Sequence, residues 1–400
     1  MEPSRQNLLL ARWAVALAFF LHGVTTGSWA PYIPLLQQKL GLPTNTLGMA
    51  LFAVPLGAVA SLSVASYLIS RYGSSLITRV ALIPLCLSVY FATAAPSLPA
   101  LVLGALSYGF LRGILDISMN THGLLIENKL KKHIVASLHG CWSIGLLSGG
   151  ALATTLFRVA SPDIHRMVSL SLSLCLALLV MPFLLSAKAD KGVRKAAAFA
   201  WPTKELLPLG VFAFVFMILN TLANDWSGVF LKTIRHSDLS TAAFGFSAFA
   251  GLMAAARFAG DWLRSRFSTA TIFFASALSC SAGAACTILI PNQTAAIVGF
   301  SLIGLGVANS IPLAYITAGN RSKISPAHGI AAVGNFGYLG TLLSSISIGF
   351  IAQATSLPLT FLLGGIIAVV IAFLATRIPL GEKKAASPSG TIQPAFKISN

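Results

Sequence analysis

Runs of about 20 mainly apolar residues, the length that crosses a bilayer as one helix, recur twelve times along this chain. They begin near residues 12, 46, 74, 98, 135 and 166, and again near 205, 241, 269, 296, 329 and 358. Only 9% of the 400 residues are charged, whereas a soluble domain carries roughly a quarter. So few charges cannot make a water-facing surface. In lipid every backbone polar group must be satisfied within the chain, and helices do this segment by segment. The expected fold class is an all-α membrane protein with twelve transmembrane helices in two pseudo-symmetric six-helix bundles.

The formal charge of +17 could suggest a nucleic-acid partner, but the basic residues sit in short clusters between the apolar runs, so they read as topology. With both termini on one side, that side holds twenty of the 27 Lys and Arg residues. Lys39, Arg158, Arg166, Lys232 and Arg235 lie on the other, and only Arg112 and Arg257 fall within spans. Cytoplasmic loops are the ones enriched in Lys and Arg, which predicts that both termini are cytoplasmic. The five cysteines lie inside apolar segments without ligand spacing, so neither a disulfide framework nor a metal site is expected. The first run continues without a clear cleavage site and reads as a retained helix.

The halves echo each other. Trp29 and Trp226 are 197 positions apart, as are Gly48 and Gly245, and Leu68–Gly73 answers Leu263–Ser268 at a spacing of 195. Parallel six-helix repeats with a site near mid-membrane are the pattern of an alternating-access transporter. The expected organisation is an N-terminal bundle (1–187), a cytoplasmic linker (188–204), a C-terminal bundle (205–378) and a cytoplasmic tail (379–400) whose Lys, Ser, Pro and Gly content predicts disorder.

The paired hexamers resemble the loop motif G-x-L-x-D-R-x-G-R of the major facilitator superfamily, with Ser70 and Ser265 at its acidic position. Asp116-Ile-Ser-Met-Asn120 is similar to the acidic-x-x-x-Asn pattern of fucose-type proton symporters, although the first helix has His22 where those carry an acid. Segments around Trp29-Ala30, His139–Ser143 and Asn224–Trp226 resemble a poorly characterised bacterial inner-membrane branch of the superfamily. This resemblance implies the major facilitator fold, secondary transport and a plasma-membrane location. Gly145-Leu-Leu-Ser-Gly149-Gly150 lacks the proline of the drug-efflux motif.

Charges at membrane depth usually face a partner or a wet cavity. Arg112 and Asp116 are one helical turn apart with Asn120 one turn further, so an ion pair is expected there, with Asp116 as a substrate or proton site. His22, Thr26 and Trp29 share a face of the first helix, and His139 and Trp142 share one in the fifth. Asn220, Asn224, Asp225 and Trp226 mark the seventh helix, Asn309 the tenth, and Asn335 with Tyr338 the eleventh. These are candidate contacts to substrate or proton. The competing readings are interhelical hydrogen bonding for the amides and interfacial anchoring for Trp29 and Trp226. Arg71 and Arg266 in the loop motifs, and Arg257 paired with Asp261, read as gating or structural.

No GxxxxGK[ST] loop is present to bind ATP. The expected function is a secondary active transporter for a small polar organic solute, coupled to H+, embedded in membrane lipid and acting as a monomer without cofactor, metal or nucleic acid. The alternatives are proton-antiport efflux of a metabolite or drug, and, from other classes, a membrane-embedded enzyme or a transporter-like sensor. An enzyme is not expected, because these polar residues scatter over several helices instead of gathering at one interface.

Overall fold

A computed structural model describes residues 4–185, 201–322 and 325–377. The predicted tail, and the predicted linker except its last four residues, lie outside the described residues. Among the described residues, twelve helical segments are long and apolar enough to cross a membrane. The first runs through α1 (Arg5–Trp29), a 3-10 turn and α2 (Ile33–Lys39); then come α3 (Thr44–Tyr72), α4 (Ser74–Ala94), α5 (Leu98–Leu130), α6 (Val135–Val159) and α7 (Pro162–Val180). The second half holds α8 (Leu207–Thr233), α9 (Leu239–Phe258), the short α10 (Gly260–Arg266), α11 (Thr269–Leu289), α12 (Gln293–Arg321), α13 (Pro326–Ala354) and α14 (Leu357–Arg377).

The helices start where a side-chain oxygen caps the first free N–H groups. Ser161, Asp238, Ser268, Asn292 and Ser325 each accept from the backbone N–H three residues on. Gly73, at φ 87°, is the whole connection between α3 and α4, a backbone conformation that glycine adopts without steric cost. Its counterpart in the second half is built differently. The helix breaks at Ala259, so Leu263–Arg266 sits on the separate α10.

Helix pairs recur between the halves: α1 packs on α6 as α8 does on α13, and α3 packs on α5 as α9 does on α12. The α1–α6 crossing is close because small residues alternate. A Cβ on Gly23 or Gly27 would strike the α6 backbone, and one on Gly145 or Gly149 would strike the α1 backbone. Close backbone approach at glycines is how helices associate where lipid removes the hydrophobic drive.

Two seams join the halves, and they differ. Helices α6 and α9 touch from one end to the other: Thr154 bonds Ser247 at 3.1 Å, Arg257 bonds Ser143 at 3.0 Å, and Gly140 lies against Phe258. Helices α3 and α13 meet at the end away from the basic loops. There the Thr44 N–H donates to Gln353 Oε1 at 2.9 Å, and Gly48 lies against Gly349. Tyr338 stands on the α13 face that carries Ser345 and Gly349, two and three turns away, yet it is 53% exposed. Leu56 and Val59, continuing the Gly48 face of α3, are exposed as well. The two helices therefore diverge toward the basic end and leave a cleft between the halves.

Candidate functional site

Four side chains along α5, Tyr108, Arg112, Asp116 and Asn120, repeat every four residues and so share one face. Arg112 is the hub. His22 of α1, Tyr108 and Asp116 of α5, Asp225 of α8 and Tyr338 of α13 all lie within its electrostatic reach. Groups from both halves are thus gathered around one guanidinium near the middle of α5.

The expected Arg112–Asp116 ion pair does not form. Asp116 instead accepts from Asn120 Nδ2, 3.2 Å from its Oδ1, while the same nitrogen donates to the Asp116 main-chain carbonyl at 2.8 Å. Helical side chains lean toward the N-terminus, so Arg112 leans away from Asp116 while Asn120 leans onto it. This is also the less favourable order for an i, i+4 charge pair. Asp225 is held in the same manner by its neighbour, whose Asn224 Nδ2 donates to Oδ1 at 2.6 Å.

His22 is 3% exposed, and among the described residues neither ring nitrogen has a hydrogen-bond partner. The hydroxyls of Thr25 and Thr26 donate to its carbonyl, and its ring lies 6.4 Å from that of Trp142. The Tyr108 hydroxyl donates to Thr26 Oγ1 at 3.3 Å, and its ring lies 5.7 Å from Trp29. Trp29 and Trp226 are both buried inside the protein, which overturns the interfacial-anchor reading. Trp226 Nε1 has no hydrogen-bond partner among the described residues. His139 is exposed, edge-on to Phe19 at 5.2 Å.

Arg257 does not pair with Asp261, whose carboxylate sits 3.5 Å from Arg264 on the same short helix. The break at Ala259 puts Asp261 on α10 and leaves Arg257 on α9. From there its guanidinium crosses to the other half, onto Ser143 Oγ and over the Trp142 ring at 5.3 Å, with Nε toward the Ala308 carbonyl at 3.4 Å. Asn309 donates to the Ala256 carbonyl at 2.7 Å, so it ties α12 to α9, the interhelical role that competed with substrate contact. Asn220 and Asn335 are half-buried. Arg71 bonds the Tyr67 hydroxyl at 2.8 Å and, like Arg266, is exposed at the basic end, away from the cluster. Ser70 and Ser265 bond carbonyls of their own helices.

Tyr108 and Ser143 were not among the candidates drawn from the sequence. Tyr108 was reachable from spacing, one turn before Arg112 on the same stripe. Ser143 was not, because its partner arrives from the opposite half.

A family model described as Major Facilitator Superfamily matches residues 15–326. An uncharacterized MFS-type transporter of Yersinia pestis is 28% identical over 346 residues, 86% of this chain and 90% of that protein. In fold, the chain is similar to the nucleoside transporter NupG, with a TM-score of 0.72 at 14% identity over 93% of this chain and 98% of that one. It is also similar to the E. coli fucose:proton symporter FucP, with a TM-score of 0.59 at 15% identity over 93% and 99%.

Proposed function

The chain belongs to the major facilitator superfamily, and from that premise we propose that it moves a small polar organic solute across the membrane by alternating access, coupled to a proton through Asp116. It is a transporter of the secondary kind, and its family is not one of enzymes. The observation that carries the proposal is the gathering of His22, Arg112, Asp116, Asp225 and Tyr338 from four helices of both halves around a cleft.

Alternating access needs a site whose walls belong to two bodies that can rock against each other. The cleft has that form, since the α6–α9 seam runs its full length while the α3–α13 seam closes one end. By the basic-residue asymmetry the open end faces the cytoplasm, in a bacterial inner membrane. Asp116 and Asp225 are held by neutral amides and not by arginine. Each can therefore take a proton without breaking an ion pair. His22, without a partner on either nitrogen among the described residues, stands beside the same cluster as a relay.

The test begins with a thermal-shift screen of purified protein against sugars, nucleosides, amino acids and organic acids, because a bound solute stabilises by about 2.7 kcal/mol at 100 times its Kd. With a solute in hand, Asp116→Asn is reconstituted in proteoliposomes. The expected result is solute exchange down a gradient without accumulation against one under an imposed pH gradient. Uphill uptake by the variant at the wild-type rate would remove Asp116 from the coupling path.

A further inference from the structure

Four arginines on or beside the helical spans are partnered within the fold. Arg257 holds Ser143 and the Trp142 face, Arg79 holds the carbonyls of Leu184 and Leu185, and Arg235 holds the Thr287 carbonyl at 2.7 Å. Arg166 bonds Asp163 at 2.7 Å. Arg112, at the middle of α5, donates no hydrogen bond and joins no ion pair among the described residues. The two carboxylates that could have neutralised it, Asp116 and Asp225, are each taken by an asparagine. An unpartnered guanidinium at this depth is costly, and the cleft is where a partner could reach it.

Resting on the transport reading above, we infer that the solute bears a single carboxylate that docks on Arg112, and that one proton enters with each solute molecule. The guanidinium fork matches a carboxylate with two parallel N–H···O bonds, at a strength above that of neutral pairs. Charge count selects one anionic group. The groups within electrostatic reach of Arg112 are His22 from α1, Tyr108 and Asp116 from α5, Asp225 from α8 and Tyr338 from α13, with Tyr315 of α12 within reach of Tyr338. One cation already faces two carboxylates, so an arriving anion adds a negative charge unless a proton accompanies it. With one proton on Asp116 or Asp225 per carboxylate bound, the charge of the site does not change. A phosphate dianion would need a second free cation, and Arg257 is committed elsewhere. Tyr338, exposed into the cleft and close to both Asp116 and Arg112, is placed to donate to the same carboxylate.

The experiment measures thermal shift and calorimetric affinity of the purified full-length protein for pyruvate, benzoate, nicotinate and gluconate, each against its own amide, with inorganic phosphate, glucose and uridine alongside. At least one carboxylate is expected to raise the melting midpoint where its amide does not. Its Kd is expected to rise about tenfold per pH unit on the alkaline side, the slope of one linked proton. Arg112→Gln should lose that binding and Arg112→Lys, which keeps the charge but not the fork, should weaken it at least tenfold. The unliganded Arg112→Gln variant should still melt in a single cooperative transition, since it loses no hydrogen bond or ion pair and only the attraction of Arg112 for Asp116 and Asp225, which separates lost binding from lost folding. Stabilisation by an amide, glucose or uridine that survives Arg112→Gln overturns the carboxylate while leaving the transporter reading intact. Binding of phosphate alone, or of no carboxylate, overturns it also. A carboxylate that binds through Arg112 yet is not accumulated by proteoliposomes under a pH gradient leaves the site standing and defeats the coupling.

Discussion

Gly48 offers a direct test of whether the α3–α13 seam is a gate. A Cβ placed there would meet the Ser345 carbonyl oxygen at 2.6 Å and Gly349 Cα at 2.9 Å, both backbone atoms that cannot rotate away. Contacts shorter than 3.4 Å demand that something give, so Gly48→Ala has to part the two helices by about 0.8 Å at this end. Overpacking a close contact costs typically about 1–3 kcal/mol. If the halves rock, this cost falls only on the state in which the seam is closed, and the population moves by about 5–150-fold toward the state in which it is open. Spin labels on cysteines introduced at the exposed Gln38 and Ser356, in a background without the five native cysteines, would read this as a longer distance distribution. The control is Gly23→Ala, whose Cβ would strike the Trp142 backbone within the same half. It loads both states equally, so it should lower stability without moving the labels. A folded Gly48→Ala protein with the wild-type distribution, or an equal shift in Gly23→Ala, would refute the two-body account.

Arg257→Ala removes the Ser143 bond and the Trp142 contact from the full-length seam, and is expected to lower stability by about 1.5–3 kcal/mol, the range for hydrogen bonds to a charged group. Arg257→Gln should lose less, and an unchanged melt in Ala would deny the clasp. Asp238 caps α9 through the Thr241 N–H at 2.8 Å, and that bond holds its carboxyl below the usual aspartate value. A depressed folded pKa stabilises above the unfolded value of about 3.9 and loses that contribution as pH falls through the folded one. Asp238→Ala should therefore cost about 1 kcal/mol near neutrality and progressively less under acid, measured by melting at several pH values. Alkaline phosphatase fused after Pro162 should be active and after Lys131 inactive; the reverse pattern would invert the membrane orientation.

The twelve spans, their all-helical form and the membership in this superfamily were legible in the sequence because each rests on local quantities. A run of apolar residues must bury its backbone bonds as a helix wherever it lies in the bilayer, and the capping serines, asparagine and aspartate act within three residues. The stripe through Arg112, Asp116 and Asn120 was legible for the same reason, as helical period is a property of the backbone. Partnership was not. Spacing placed Arg112 beside Asp116 but could not say which way each side chain leans or that an asparagine would reach the carboxylate first. The same held for Arg257, whose sequence neighbour Asp261 was lost to a helix break and whose partners, Ser143 and Trp142, lie more than a hundred residues away. Tyr338 and Gly48 drew their meaning from a seam that is tight at one end and open at the other. That asymmetry belongs to how two packed bodies tilt against each other, a sum of many weak contacts between distant segments, and only the tertiary structure decides it.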